Sequence, residues 1–548
     1  MKKIVLYNLL LLLVLAAYPQ TKPIKNVILM IPDGASTSLL SAARWYQTYL
    51  DSSQSTLNLD PYFTGLVRTC SSDAPIGDSA PTTSCYMTGQ PSQAGYVSTY
   101  PEKTDNDLFP IDATQTYRPL ATILEGAKQI HHRSTGLVFT CEFPHATPAD
   151  CVAHTYNRKR YDWIASQMVH NMVDVVIGGG VSYLNESNRN FLKENNYQVF
   201  LNDLNGMRQC PKAPFWALFS DKRMPYELER NPQTTPSLAE MTEKAIQMLS
   251  VDPNGFFLMV EGSKVDFAAH VNDVKSEILD FLAFDKACKV AFDFAKKDGQ
   301  TVVVVLPDHG CGAITIGSYH SDCGFEKIPL KTIMQPLDDI TISSASMVNL
   351  LKKKDTTEWN SLFMKYYNIQ IQEPEISYLQ SAKDYDKSSI PKEQRKHNLT
   401  MECIVNQLVY SRTCFGFTTH GHTGENVFLA MYHPQNDVLT GCPTNIDIHN
   451  YLCKQTQLTD SLPMLTDNIY ADHHEVFKNF TTAIDSIAPD NYVLTVKNKK
   501  KKLTATSYTN YMMVNKKKVE LSSVIVYMPA NKTFYLPKES YRYLLEEN

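Results

Sequence analysis

Residues 301–310 read TVVVVLPDHG: an apolar run from Val302 to Leu306, then a proline, then an acid and an imidazole side by side. A run without polar alternation suits a strand covered on both faces, as in a parallel sheet. Its carboxyl end delivers Asp308 and His309 together. The same pattern recurs along the chain. NVILMIPDG (26–34) delivers Asp33, and STGLVFTCEFPHATPAD (134–150) delivers His145 and Thr147. GFFLMVEGSKVDFAAH (255–270) delivers Glu261, Asp266 and His270, while DVVIGGG (174–180) ends in glycines.

Between these runs lie helical patterns such as YRPLATILEGAKQI (117–130) and SLAEMTEKAIQMLS (237–250). Strands alternating with helices predict an α/β three-layer sandwich with a central, mostly parallel sheet. In open α/β sheets ligands bind beyond the carboxyl ends of the strands. One Asp after a strand reads equally as a helix cap. Four strands ending in acid, histidine or threonine place a metal site there. Asp266 and His270 stand four apart, on one face of a helix that starts near Lys264. Oxygen and imidazole donors without thiolate suit zinc, and carboxylate with hydroxyl suits magnesium. Near the end of this series, FTTHGHTGENVFLAMYHP (417–434) sets His422 in a glycine-flanked turn before another strand.

The stretch SSDAPIGDSAPTTSCYMTG (71–89) interrupts these apolar strands with small hydroxyl residues around Asp78-Ser79. By itself it reads as a surface turn leading into a helix N-cap.

The 548 residues are 43% hydrophobic and 20% charged, enough for a sizeable core. A net charge of -5 gives no reason to expect nucleic acid as a dedicated partner. The charge is uneven: positions 491–548 hold eleven Lys or Arg against four Glu, with runs at Lys499–Lys502 and Lys516–Lys518. Such runs read as solvated turns between strands. At the amino end, MKKIVLYNLLLLLVLAAYPQT reads as a secretory signal over residues 1–20. Its apolar core is short for a membrane span, so the reading is an exported protein, periplasmic or extracellular, with no stable membrane insertion. The twelve cysteines form no CxxC pair, which argues against a zinc-thiolate site and leaves disulfide pairing open.

Taken together, KNVILMIPDG, GDSAPTTSCYMTG, HATPADCVAHTYNR, DVVIGGG, FFLMVEGSKVDFAAH, VVVVLPDHG and HGHTGENV resemble the alkaline phosphatases, in family order between about residues 25 and 435. The resemblance implies that Ser79 is the nucleophile of phosphate monoester hydrolysis, forming a phosphoserine intermediate that is then hydrolysed to release phosphate. It implies two zinc ions and one magnesium. One zinc would be held by Asp266, His270 and His422, and the other by Asp33, Asp308, His309 and the Ser79 oxygen. The magnesium would sit near Asp33, Thr147 and Glu261, with His145 in or next to its shell. Arg158 would clamp two phosphate oxygens, a task for a planar fork, and Asp78 would orient it. Small phosphate monoesters are the implied substrates, and a homodimer is compatible with the resemblance.

His145 and Phe267 stand where family members vary, which leaves the identity of the third metal open. QEPEISYLQSAKDYDKSSIPKEQRK (372–396) reads as part of a lid-like insert over about 325–410, with a charged surface helix as the other reading. The catalytic domain is expected to span 21–485. NYVLTVKNKKKKLTATSYTNYMMVNKKKVELSSVIVYM (491–528) predicts a small β-rich extension over 486–548. Three rivals remain. A sulfatase needs Arg where Thr83 stands, a phosphodiesterase of the same superfamily differs by loops and usually has threonine in place of an Arg158-type clamp, and a non-catalytic metal- or phosphate-binding protein would lack turnover.

Overall fold

The structure is a computed structural model that describes residues 23–318, 327–387 and 399–545. The expected signal segment therefore lies outside the described residues. Nine strands form the central sheet: β1 (Asn26–Ile31), β2 (Phe63–Val67), β3 (Ser134–Glu142), β4 (Val175–Gly179), β5 (Gln198–Leu201), β6 (Phe215–Leu218), β7 (Phe256–Glu261), β8 (Thr301–Val305) and β9 (Val427–Tyr432). Their order is β2-β9-β8-β1-β7-β3-β4-β6-β5. The pairs from β8 to β5 are all parallel, and β9 runs antiparallel between β8 and β2.

The unbroken apolar runs have a direct physical cause. Successive strand residues point to opposite faces, and here both faces are covered. Ile28, Met30, Leu258, Val260, Val303 and Val305 enter one core. Val27, Leu29, Ile31, Phe257, Met259, Val302 and Val304 enter the other. The first core is closed by helices that include Leu238–Leu249 and the long Val274–Asp298. The second is closed by α1 (Ser79–Thr88), α2 (Tyr161–His170), Ile123–His131 and Asn445–Thr456. The result is the expected three-layer sandwich.

Between β8 and β9 the chain forms helices Ser344–Leu351, Trp359–Tyr367, Glu373–Lys387 and Met401–Tyr410. Met347, Trp359, Phe363 and Ile404 from this stretch are buried in the first core. Past the sandwich, β10 (Thr481–Ala488), β11 (Asn491–Lys497), β12 (Lys502–Thr506), β13 (Tyr511–Val514) and β14 (Lys517–Glu520) form an antiparallel meander. The lysine runs fall in or beside its turns. No helix among the described residues is long and apolar enough to cross a membrane.

Candidate active site

Ser79 opens α1, and Asp78 holds the N-cap position with extended backbone, φ -120° and ψ 156°. Its side chain does not cap the helix. Instead one carboxylate oxygen accepts from Arg158 and the other from the Gly95 N–H at 3.2 Å. The cap reading of this stretch therefore gives the right place and the wrong job. Burial works against the Asp78 carboxylate, but the Arg158 guanidinium beside it holds its pKa below the usual range. The other Arg158 branch, Nη2, donates to His145 Nε2 at 3.1 Å. Burial and Arg158 lower the His145 pKa to about 3, so its ring is neutral and accepts this bond.

The carboxyl ends of β1, β7 and β8 deliver their ligands to one place. Asp33 follows β1, and Gly34 next to it has φ +67°. A Cβ at Gly34 would lie 2.5 Å from Asp266 Oδ1, so glycine is required both by the backbone and by the approach of that carboxylate. The Gly34 and His309 N–H groups each donate to Asp308 Oδ1 at 3.0 Å. Ser79 Oγ donates to Asp33 Oδ1 at 3.4 Å and lies 3.2 Å from His309 Nε2. His309 Nε2 is itself 3.5 Å from Asp33 Oδ1 and 3.4 Å from Asp308 Oδ2.

β7 leads through Glu261 into α3 (Lys264–Ala269), which carries Asp266 and is followed by His270. His422 arrives on a two-residue strand, His422–Thr423, paired antiparallel with Gly310–Cys311 just after His309. This pairing stacks the His309 and His422 rings with centroids 3.7 Å apart. His270 Nε2 is 3.4 Å from Asp266 Oδ2, and His422 Nε2 is 3.7 Å from Asp266 Oδ1.

Three imidazoles share one arrangement. His270 Nδ1 meets the His420 carbonyl at 2.8 Å, His422 Nδ1 the Gly77 carbonyl at 2.8 Å, and His309 Nδ1 the Gly310 carbonyl at 3.2 Å. A carbonyl only accepts, so each Nδ1 carries a proton and a neutral ring presents its Nε2 lone pair inward. Burial lowers the His422 pKa to about 4, which keeps that ring neutral. His270 and His422 Nε2 meet at 3.1 Å. Lone pairs turned toward each other and toward carboxylates are the donor set of a cation, oriented by backbone carbonyls as metal-ligating histidines are.

The buried oxygens agree. Asp33 Oδ2, Thr147 Oγ1, Glu261 Oε1, Asp266 Oδ1 and Asp308 Oδ2 have no hydrogen-bond partner. Such atoms are costly unless something pairs with them. Burial and the neighbouring carboxylates Asp308, Asp266 and Glu261 push the Asp33 pKa far up, and burial pushes Glu261 to about 8. The potential ligands fall into Asp266-His270-Cys311-His422, Asp33-Asp308-His309 and Cys141-His145-Glu261 groups. The first two contain the residues expected for two ions. Thr147 is buried with its hydroxyl unpaired, on the short helix that follows His145.

Every residue singled out from the sequence is described, and the acid, imidazole and serine groups converge on the sheet's carboxyl edge. The sequence reading missed the supporting groups. Cys311 and Cys141 stand among the ligands, and the Cys141 thiol donates to Glu261 Oε2 at 3.4 Å. Gly95 tethers both Asp78 and Arg158, whose N–H donates to the Gly95 carbonyl at 2.8 Å. Only the glycines around the motifs hinted at such backbone work. Phe267 lies under the Arg223 guanidinium, 4.2 Å from its ring centre.

Residues 24–458 match the alkaline phosphatase family model. The chain is 32% identical to alkaline phosphatase 3 of Bacillus subtilis over 449 residues, 79% of this chain and 89% of that protein. It is 28% identical to the repressible alkaline phosphatase of Saccharomyces cerevisiae over 480 residues, 78% of this chain and 81% of that one. Its fold is similar to the crystal structure of a cold-active alkaline phosphatase from Shewanella, with TM-score 0.66, 26% identity and coverage of 80% of this chain and 100% of that one. The match thus runs from the first sheet strand past the last ligand-bearing loop, and the chain belongs to the alkaline phosphatase family, metal-dependent hydrolases of phosphate monoesters.

Proposed function

We propose that Ser79 is the nucleophile: its oxygen attacks the phosphorus of a monoester, the P–O ester bond breaks and the alcohol leaves, and water then cleaves the phosphoserine to release inorganic phosphate and restore the hydroxyl. The observation that carries this reading is the position of Ser79 Oγ, 3.2 Å from His309 Nε2 and 3.4 Å from Asp33 Oδ1 at the first position of a helix. A serine hydroxyl is a weak nucleophile at neutral pH and needs activation. The donor set suits two zinc ions, one on Asp266, His270 and His422 and one on Asp33, Asp308 and His309 with Ser79 Oγ. It also suits a magnesium near Asp33, Thr147 and Glu261, with His145 in or next to that shell. Such ions would polarise phosphoryl oxygens and ease loss of the hydroxyl proton.

The chain's own residues do the rest. The positive end of α1, with the Ser79 and Ala80 N–H groups (Pro81 has none), favours an anion bound at Ser79. Arg158 offers a planar fork to two phosphoryl oxygens, held in place by Asp78. Asp78 itself is fixed by Gly95. The test is metal removal: chelation abolishes p-nitrophenyl phosphate turnover, zinc with magnesium restores it, and active protein carries two zinc ions per chain. Fully active protein with less than one zinc per chain refutes this assignment.

The same reading extends to the whole chain. It comprises a signal segment at 1–20, a catalytic domain at 21–485 with an insert over about 325–410, and a C-terminal extension at 486–548. The protein is exported, and a homodimer fits the family. Secretion of enzyme starting just after residue 20, checked by amino-terminal sequencing, tests the first of these.

A further inference from the structure

The geometry points to the C-terminal β meander as a brace for the loop that carries Arg158, with Asp490 and Tyr508 as positioning residues for phosphate capture. This inference rests on the reading of Arg158 as the phosphate clamp. After Arg158 the chain passes through Arg160 directly into α2. Arg160 divides its fork. Nε and Nη2 donate to Asp162 at 3.1 and 2.7 Å, while Nη1 and Nη2 reach Asp490 at 3.0 and 2.9 Å. Asp490 sits in the turn between β10 and β11. The Arg160 guanidinium also lies 3.8 Å above the Trp163 ring centre.

Trp163 is buried with Leu494, Val496, Leu503 and Tyr508 in the core of the C-terminal unit rather than in either sandwich core. Its ring stacks on Tyr508 at 5.5 Å and 25°. Farther along α2, Ser166 Oγ donates to the Tyr508 carbonyl at 2.9 Å and His170 Nδ1 meets Asn510 Oδ1 at 3.1 Å. Positions 163, 166 and 170 form one helical face. The opposite face, with Ile164, Ala165, Met168 and Val169, enters the second sandwich core. On the other side of Arg158, Tyr156 meets the Trp163 ring edge-on at 6.3 Å. Residues on both flanks of the clamp are therefore tied to the β10–β14 unit, which lies beyond residue 458, where the family match ends.

The brace can be separated from overall stability. The Arg160 and Asp490 side chains are 24% and 44% exposed, and ion pairs this open contribute little to folding. The orientation of a catalytic group is far more sensitive, since a 1 Å misplacement costs on the order of a hundredfold. Asp490→Asn removes the charge while keeping a residue that tolerates the +61° φ of this turn. In the full-length, metal-loaded enzyme it should weaken inhibition by inorganic phosphate, and lower kcat/KM for p-nitrophenyl phosphate, by roughly three- to tenfold. Tm should stay within about 1 °C, because an exposed ion pair contributes little to the folding of a chain this large. Arg160→Gln should reproduce the loss. In an Arg158→Ala background Asp490→Asn should add nothing, because both act on one contact. Wild-type phosphate inhibition in both brace variants, or a loss that adds in full to Arg158→Ala, overturns the inference while leaving the clamp intact. Unchanged phosphate inhibition in Arg158→Ala alone overturns the clamp and the brace with it.

Discussion

Replacing Arg158 by alanine removes a fork whose two branches now reach Asp78 and His145. A monoester dianion offers non-bridging oxygens enough for two charge-assisted bonds from this fork, each worth about 1.5–3 kcal/mol. Part of that is replaced by water entering the space left behind, so about 2–4 kcal/mol of transition-state stabilisation is lost. The loss corresponds to roughly 30- to 1000-fold in kcat/KM. A second effect adds to it. Without Arg158 the Asp78 carboxylate keeps only the Gly95 N–H, and its uncompensated charge repels the incoming dianion. Arg158→Lys keeps the charge and loses the fork, so it should recover only part of the activity. A diester has given one of those oxygens to a second substituent and uses the clamp poorly, so its turnover should change little. The assay is kcat/KM for p-nitrophenyl phosphate and bis-p-nitrophenyl phosphate in wild type and both variants. Equal losses on the two substrates, or a wild-type preference for the diester, refute the reasoning.

Three further outcomes follow from the geometry. Gly34→Ala forces a Cβ to within 2.5 Å of Asp266 Oδ1 at a φ of +67°, so it should cost about 1–3 kcal/mol of stability and lower zinc content; a variant with full zinc by mass spectrometry contradicts this. His270→Ala should lower zinc to about one ion per chain with the fold intact, because the Asp33-Asp308-His309 group is untouched; loss of all metal, or of none, contradicts that division. Asp33 and Glu261 hold protons in the folded, metal-free chain up to about pH 8 for Glu261, whereas the unfolded chain releases them near pH 4. The chelated protein should therefore lose stability as pH rises from about 5 to 8. Metal binding displaces those protons and tightens over the same window, so the gain in Tm on adding zinc and magnesium should grow with pH, and a flat gain would sink the assignment.

Much of the site was legible because burial on both faces leaves a plain trace. Val302 to Leu306 and Val27 to Ile31 admit no polar residue on either side, so the first polar residue after each run marks the sheet's edge. Other features are invisible to periodicity. The antiparallel course of β9 depends on where the chain returns after the helices that follow β8. The placement of His422 beside His309 depends on a two-residue pairing with Gly310–Cys311, too short to leave a pattern. Asp78 satisfied every local rule for a helix cap, and only the approach of Arg158 and Gly95 from distant segments redirected it. In the C-terminal unit, alternating residues and Lys-Asn turns signalled strands. Trp163 gave no sign that it belongs to that unit's core, because its helix reads like any other amphipathic segment.

The most direct test of the account is the covalent intermediate on Ser79. Metal-loaded enzyme turning over p-nitrophenyl phosphate is quenched in acid, digested and mapped by mass spectrometry. The account predicts phosphate on Ser79 at up to one per chain, absent from Ser79→Ala, whose kcat should fall by roughly 10⁴- to 10⁶-fold while its fold survives. Phosphate on another residue, or near-wild-type turnover by Ser79→Ala, would contradict it.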